Sequence, residues 1–173
     1  GEGYAGDYLG VPCQGAQQSG FPAAVGAHNG HRLAVGHALQ PDVVRAGTAA
    51  RVLTPHAGEF ARIADGRDLR AFAAEARATV ILKGPVTRVT AAEGTVYHSC
   101  FGGPVLARGG SGDLLAGLTG GLLAQTPAEP LLAAARGVVW HGRTADLAAR
   151  ADGQTSIRVT RLLDFLPAAL REH

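Results

Sequence analysis

Methionine is absent from this 173-residue chain, which begins at Gly1. The sequence is therefore expected to be a fragment or a processed product without its own start. Cysteine is scarce: Cys13 and Cys100 are the only two, and they form no C-x-x-C pair. That spacing speaks against zinc ribbons and dithiol redox motifs, and it predicts free thiols in a reducing compartment. Charged residues reach only 17%, the net charge is +2, and no Lys/Arg block stands out. No nucleic-acid partner is expected from such a balance. No apolar run approaches the roughly 20 residues that span a bilayer. No signal peptide is evident either, so a cytoplasmic protein with no membrane partner is expected. Two phosphate-binding fingerprints are also missing. The Walker pattern G-x-x-x-x-G-K-[ST] does not occur. No G-x-G-x-x-G follows a strand in the manner of a dinucleotide fold.

What is present is the composition of a globular protein, with 46% hydrophobic residues in a length that suits one domain. Residues 1–31 are rich in Gly, Gln and Pro and hold no period for long. Beyond them, strand and helix signals alternate. Residues 32–35 suit a short strand, and 41–49 a helix with Pro41 in its first turn. Residues 51–54 suit a buried strand ended by Pro55, and 58–64 a helical turn broken at Asp65-Gly66. A helix over 68–77 has Leu69, Phe72, Ala73 and Ala76 on one face. Thr79-Val80-Ile81-Leu82 is a β-branched strand, followed by a hairpin of 86–91 and 95–99. A helix over 112–124 carries a leucine stripe, and its glycines at 117, 120 and 121 predict close packing on a sheet. A long helix over 128–150 follows, and Thr155-Ser156 suits a cap for a final helical region. Alternating strands and helices predict an α/β layer fold with a largely parallel sheet. Ligands in such folds lie beyond the carboxyl ends of strands.

Three segments there carry chemistry. In Gly109-Gly110-Ser111-Gly112-Asp113, glycines bring backbone N–H groups together at a helix start. The helix adds the positive end of its dipole, so an anion is the natural guest of Gly110, Ser111 and Gly112. Asp113, in the first turn, either caps the helix or acts as a base beside the anion. Lys83-Gly84-Pro85-Val86-Thr87 offers a cation, a Gly-Pro turn and a hydroxyl at a strand end, suited to phosphate or ribose. It also suits an ordinary strand-to-hairpin turn. Thr54-Pro55-His56-Ala57-Gly58-Glu59 puts His56 at another strand end, either toward a crevice or as part of a helix start. His28, His31 and His37 lack the spacing of metal ligands, so no protein metal site is expected. His141, mid-helix beside Trp140, is expected to pack or to make a satisfied polar contact.

Taken in order, L-T-P-H-A-G-E, L-K-G-P-V-T and A-R-G-G-S-G-D-L-L-A-G resemble the ADP/ATP-dependent NAD(P)H-hydrate dehydratases of the ribokinase-like superfamily. The resemblance runs from about residue 51 to 171. It implies a ribokinase-like αβα fold with a mostly parallel sheet, incomplete on its N-terminal side. Residues 1–34 match poorly, and 35–173 correspond to the C-terminal part of a single domain. The implied activity is dehydration of hydrated NADH or NADPH with ADP or ATP as co-substrate and Mg²⁺ to offset phosphate charge. The resemblance makes Asp113 the catalytic residue at the hydrated nicotinamide ring and His56 a dinucleotide contact. Lys83, Gly84, Pro85, Val86, Thr87 and Gly112 become nucleotide contacts. A homotetramer is implied as well. This sequence departs from the family at Gly102-Gly103-Pro104, where Gly-Asn-Pro is usual, and at Arg108, where Thr or Ala is usual. The alternatives are a small-molecule kinase of the same superfamily and an inactive nucleotide-binding remnant. Sugar kinases usually carry Asp-Thr before the glycine loop, and thiamine-precursor kinases often carry Cys at the place of Asp113. Neither feature is found here.

Overall fold

A computed structural model describes the backbone of residues 25–28 and 31–34 and all of residues 50–171. The helix expected at 41–49 lies outside the described residues. Six strands form one sheet in the order of the chain: β1 (Val25–His28), β2 (His31–Ala34), β3 (Arg51–Leu53), β4 (Thr79–Leu82), β5 (Thr87–Thr90) and β6 (Val96–Ser99). The pairs β2–β3 and β3–β4 are parallel, while β1–β2, β4–β5 and β5–β6 are antiparallel. Parallel pairing thus holds at the centre, and a hairpin flanks it on either side, giving a mixed sheet. The β5–β6 hairpin was expected; it turns at Gly94, where φ is +87°.

Helices cover both faces. α1 (Ala57–Ala64) and α2 (Leu69–Ala76) lie on one. α3 (Ser111–Gln125) and α4 (Pro130–Asp152) lie on the other. The strands alternate accordingly. Leu53, Val80 and Leu82 pack with Ile63, Leu69 and Phe72 of the first pair. Val52, Ile81 and Val89 pack with Leu115, Leu123 and Val138 of the second. Val52, Val80 and Ile81 are fully buried, as expected of central strands covered on both faces. Burial of one such side chain stabilises by about 1.5–3 kcal/mol. A third cluster of Val105, Ala145, Ala148, Ile157 and Leu162 ties the end of α4 to the residues after it. Those residues form a 3₁₀ segment over Val159–Phe165 and a short α5 (Leu166–Arg171).

Three local expectations are corrected. Gly117 and Gly121 of α3 have open space where a Cβ would stand. The close approach is made instead by Gly137 of α4, where a Cβ would lie 2.6 Å from Thr119 Oγ1 of α3. Thr155-Ser156 caps nothing; the Ser156 hydroxyl donates back to the Asp152 carbonyl at 2.8 Å, and Arg158 precedes the 3₁₀ segment without a side-chain cap. Cys100 is disulfide-bonded rather than a free thiol, and no free cysteine occurs among the described residues. The argument from free thiols to a reducing compartment falls with it; Cys13 lies outside the described residues. No helix among the described residues is long and apolar enough to cross a membrane.

Candidate functional site

The parallel pairing of β3 with β4 continues past both strand ends. The Lys83 N–H donates to the Pro55 carbonyl at 2.9 Å, and His56 and Lys83 form an isolated parallel bridge. Two loops well apart in sequence are thereby laid side by side. In the first, His56 caps α1. The Glu59 N–H donates to His56 Nδ1 at 3.1 Å, and the His56 N–H donates to Glu59 Oε2 at 2.7 Å. This is a capping box with histidine in the serine role. Because Nδ1 accepts that bond, the proton of the neutral ring sits on Nε2. Nε2 lies 3.6 Å from Glu59 Oε1. The sequence offered both readings of this segment, helix start and crevice, and His56 serves the first with a side chain that is more than a third exposed.

The third segment reaches the same place from the other face. A loop leaves β6 and is clamped on α4. The Gly102 N–H donates to Asp146 Oδ1 at 3.0 Å, and Gly142 of α4 gives the loop room, since a Cβ there would lie 2.4 Å from Phe101 Cβ. Burial raises the Asp146 carboxyl above its ordinary value, partly offset by that hydrogen bond and by Arg150 and Arg143. Gly103-Pro104 opens a short 3₁₀ turn over Gly103–Leu106. The chain then turns at Gly110, where φ is +87°, and α3 begins. No side chain caps this helix.

Ser111 braces the turn. Its hydroxyl donates to the Leu106 carbonyl at 2.6 Å, and its N–H faces the Arg108 carbonyl at 3.3 Å. The N–H groups that remain for a guest in the first turn belong to Gly112 and Asp113; intrahelical bonding starts with Leu114 N–H to the Gly110 carbonyl at 3.2 Å. Of the three expected cradle residues Gly110, Ser111 and Gly112, Ser111 has its N–H turned to the Arg108 carbonyl.

Lys83 joins the three segments. Its Nζ lies 3.2 Å from where a Cβ of Gly112 would stand. Burial lowers the Lys83 ammonium from its ordinary value, and the carboxylates of Glu59 and Asp113 oppose that. Glu59 is 3% exposed, whereas Asp113 is exposed to solvent. A half-buried cation, two backbone donors and a solvent-facing carboxylate therefore converge at a helix start. Such a set can hold a phosphate and accept a proton from a hydroxyl beside it. Gly84 and Pro85 are exposed and turn the chain into β5, and Thr87, whose hydroxyl is 3.5 Å from the Gly84 carbonyl, opens that strand. Val86 is half-buried within the same turn.

Two residues gain weight that their sequence context did not give them. Glu59 reads as a helix starter, but it is buried and acts on Lys83. His141 packs as expected at 4% exposure, but its Nε2 has no hydrogen-bond partner. Burial, and secondarily the Lys83 charge, lower its pKa to about 4, so the ring stays neutral. A mid-helix histidine on an apolar face gives no local sign of this, because Lys83 lies far away in sequence. Among the described residues, no group of three or more His, Cys, Asp or Glu is placed to hold a metal ion.

Comparison with known proteins places the chain in a family. A family profile described as NAD(P)H-hydrate dehydratase matches residues 34–168. The bifunctional NAD(P)H-hydrate repair enzyme Nnr of Moorella thermoacetica is 42% identical over 130 residues, which cover 69% of this chain and 24% of that protein. The enzyme of the same description from Mycobacterium leprae is 39% identical over 143 residues, 77% of this chain and 30% of that one. Among solved structures, the ADP/ATP-dependent NAD(P)H-hydrate dehydratase from Bacillus subtilis, co-crystallised with ATP/Mg²⁺, is similar with a TM-score of 0.63 and 28% identity, over 70% of this chain and 47% of that chain. Hydroxyethylthiazole kinase from Pyrococcus horikoshii shares the fold, with a TM-score of 0.58 and 24% identity. The chain spans about a quarter of the first curated relative's length and about half of the Bacillus enzyme's.

Proposed function

Because this chain belongs to the NAD(P)H-hydrate dehydratase family, we propose that it takes part in the ADP-dependent dehydration of hydrated NADH or NADPH. The observation that carries the reading is the Lys83 ammonium above Gly112 at an uncapped helix start, beside Asp113. Hydroxide is a poor leaving group, and phosphorylation makes it a good one. The hydroxyl oxygen on the nicotinamide ring forms a bond to the β-phosphorus of ADP, and the bond from that phosphorus to the bridging oxygen breaks, releasing AMP. Asp113 accepts the hydroxyl proton. The ring C–O bond then breaks to release phosphate, a proton leaves the neighbouring carbon, and NADH or NADPH is restored.

In this reading Lys83 and the N–H groups of Gly112 and Asp113 stabilise charge on the transferred phosphoryl group. Gly84, Pro85, Val86 and Thr87 line the nucleotide side, and the partly exposed His56 side chain contacts the dinucleotide. Mg²⁺ bound with the nucleotide would offset part of the phosphate charge that Lys83 meets. ATP in place of ADP, a homotetramer and a cytoplasmic location accompany this reading as further proposals.

The test is an incubation with NADPH hydrate, ADP and Mg²⁺ beside a full-length relative. AMP and phosphate should appear in equal amounts with restored NADPH. ADP consumption only with a simple alcohol would make the chain a small-molecule kinase. ADP binding with no turnover on either substrate would make it a nucleotide-binding remnant.

A further inference from the structure

Arg108 has no part in the chemistry just described, yet its side chain is heavily bonded. Its guanidinium donates to three main-chain carbonyls: Ile157 at 2.6 Å, Thr155 at 2.6 Å and Gln154 at 3.0 Å. Those acceptors lie between α4 and the 3₁₀ segment, more than 40 residues away along the chain. Arg108 also stands two positions before Gly110, and its own carbonyl faces the Ser111 N–H at 3.3 Å.

We propose that Arg108 is a positioning residue for the anion-binding turn. It fastens the 154–157 segment against the turn, so that the N–H groups of Gly112 and Asp113 are aimed before a ligand arrives. The packing beneath agrees. Val159 Cγ1 lies 3.6 Å from where a Cβ of Gly110 would stand. Ile157 is 3% exposed in one cluster with Val105, which sits inside the 3₁₀ turn that leads to the site. The left-handed Gly110 is thus held from one side by Arg108 and from the other by Ser111 on the Leu106 carbonyl. A planar guanidinium suits three separate acceptors better than a single ammonium. A turn fixed in advance loses less freedom when an anion binds. Its three main-chain carbonyl acceptors set Arg108 apart from Arg161. That residue bridges Asp152 and Asp164 in the same neighbourhood but reaches no part of the turn.

The proposal rests on the reading of Gly110–Asp113 as a nucleotide phosphate site, and its test separates the two. Arg108→Ala, Arg108→Lys and Arg161→Gln are compared with the unaltered full chain by amide hydrogen exchange and by ADP titration. In Arg108→Ala, exchange over residues 109–114 should rise at least tenfold and the ADP Kd should rise about tenfold. Arg108→Lys should recover only part of both. Arg161→Gln should leave both unchanged even where it lowers the melting temperature. Unchanged exchange over 109–114 in Arg108→Ala overturns the proposal, whatever ADP does. Equal effects of Arg108→Ala and Arg161→Gln overturn it as well, since the role would then be general stability. Faster exchange in Arg108→Ala alone, with no ADP bound by the unaltered chain, sustains the positioning of the turn and overturns the nucleotide reading instead.

Discussion

Two helix starts on opposite faces of the sheet make an instructive pair. α2 begins behind Asp68, whose carboxylate accepts the Ala71 N–H at 2.8 Å. α3 begins behind Gly110, which has no side chain to offer. The first start has one of its donors capped by its own side chain and is read as structural. The second leaves donors open, places a cation above them and follows them with a carboxylate. A glycine in place of a good side-chain cap costs about a few tenths of a kcal/mol. α3 tolerates that because Leu115, Ala116, Thr119 and Leu123 are buried along it. Packing therefore stabilises the helix, and its N-terminus is left available for chemistry.

The comparison can be broken most decisively at Asp113. Asp113→Asn should lower turnover of NADPH hydrate by roughly 10²–10⁴-fold, the usual worth of a general base. ADP affinity measured by titration should stay within a few-fold; retention of most of the rate would remove Asp113 from the chemistry.

His141 sharpens the same comparison through pH. Its folded pKa is about 4, against an ordinary 6.5. The unfolded chain therefore takes up a proton that the folded chain refuses, and stability is lost as pH falls from 6.5 toward 4. The loss amounts to roughly 3 kcal/mol over that window. Stability of the unaltered chain minus that of His141→Gln, followed by denaturant titration from pH 7 to 4.5, should fall along this curve. A flat difference would mean that His141 is not held neutral.

Gly112→Ala should act on binding rather than on folding. The new methyl group meets Lys83 Nζ at 3.2 Å, and a flexible lysine can move aside at little cost to stability. The displaced ammonium no longer meets the phosphate, so ADP affinity should drop by about 1.5–3 kcal/mol, the worth of a charged hydrogen bond. Thermal unfolding should show little change; a large fall in melting temperature with intact ADP binding would reverse this assignment. The smallest effect is expected at the structural start. Asp68→Ala should cost about 1 kcal/mol of stability and leave ADP titration unaltered.

Much of this was legible in the chain itself. The strands over 51–54 and 79–82 and the hairpin after them follow from β-branched runs and turn residues. The three motif loops stand out because glycine, proline and charge meet at element ends. Less visible were features that depend on distant partners. Gly137, not Gly117 or Gly121, makes the helix contact, because the contact depends on which faces of α3 and α4 meet. Thr155-Ser156 looks like a cap, but the chain there is occupied by Arg108. The mixed sheet was hidden for a similar reason: pairing direction depends on crossovers rather than on strand composition.

The order of elements, the two-sided burial of β3 and β4 and the glycine turn that opens α3 were determined by the sequence alone. They rest on periodicity and on backbone preferences that act within a few residues. The tertiary structure decided which groups share one site. The continued pairing of Pro55 with Lys83 and the fit of Lys83 over Gly112 bring together residues that no local preference connects. The neutrality of His141 arises in the same way, because burial and a neighbouring charge exist only once the chain has folded.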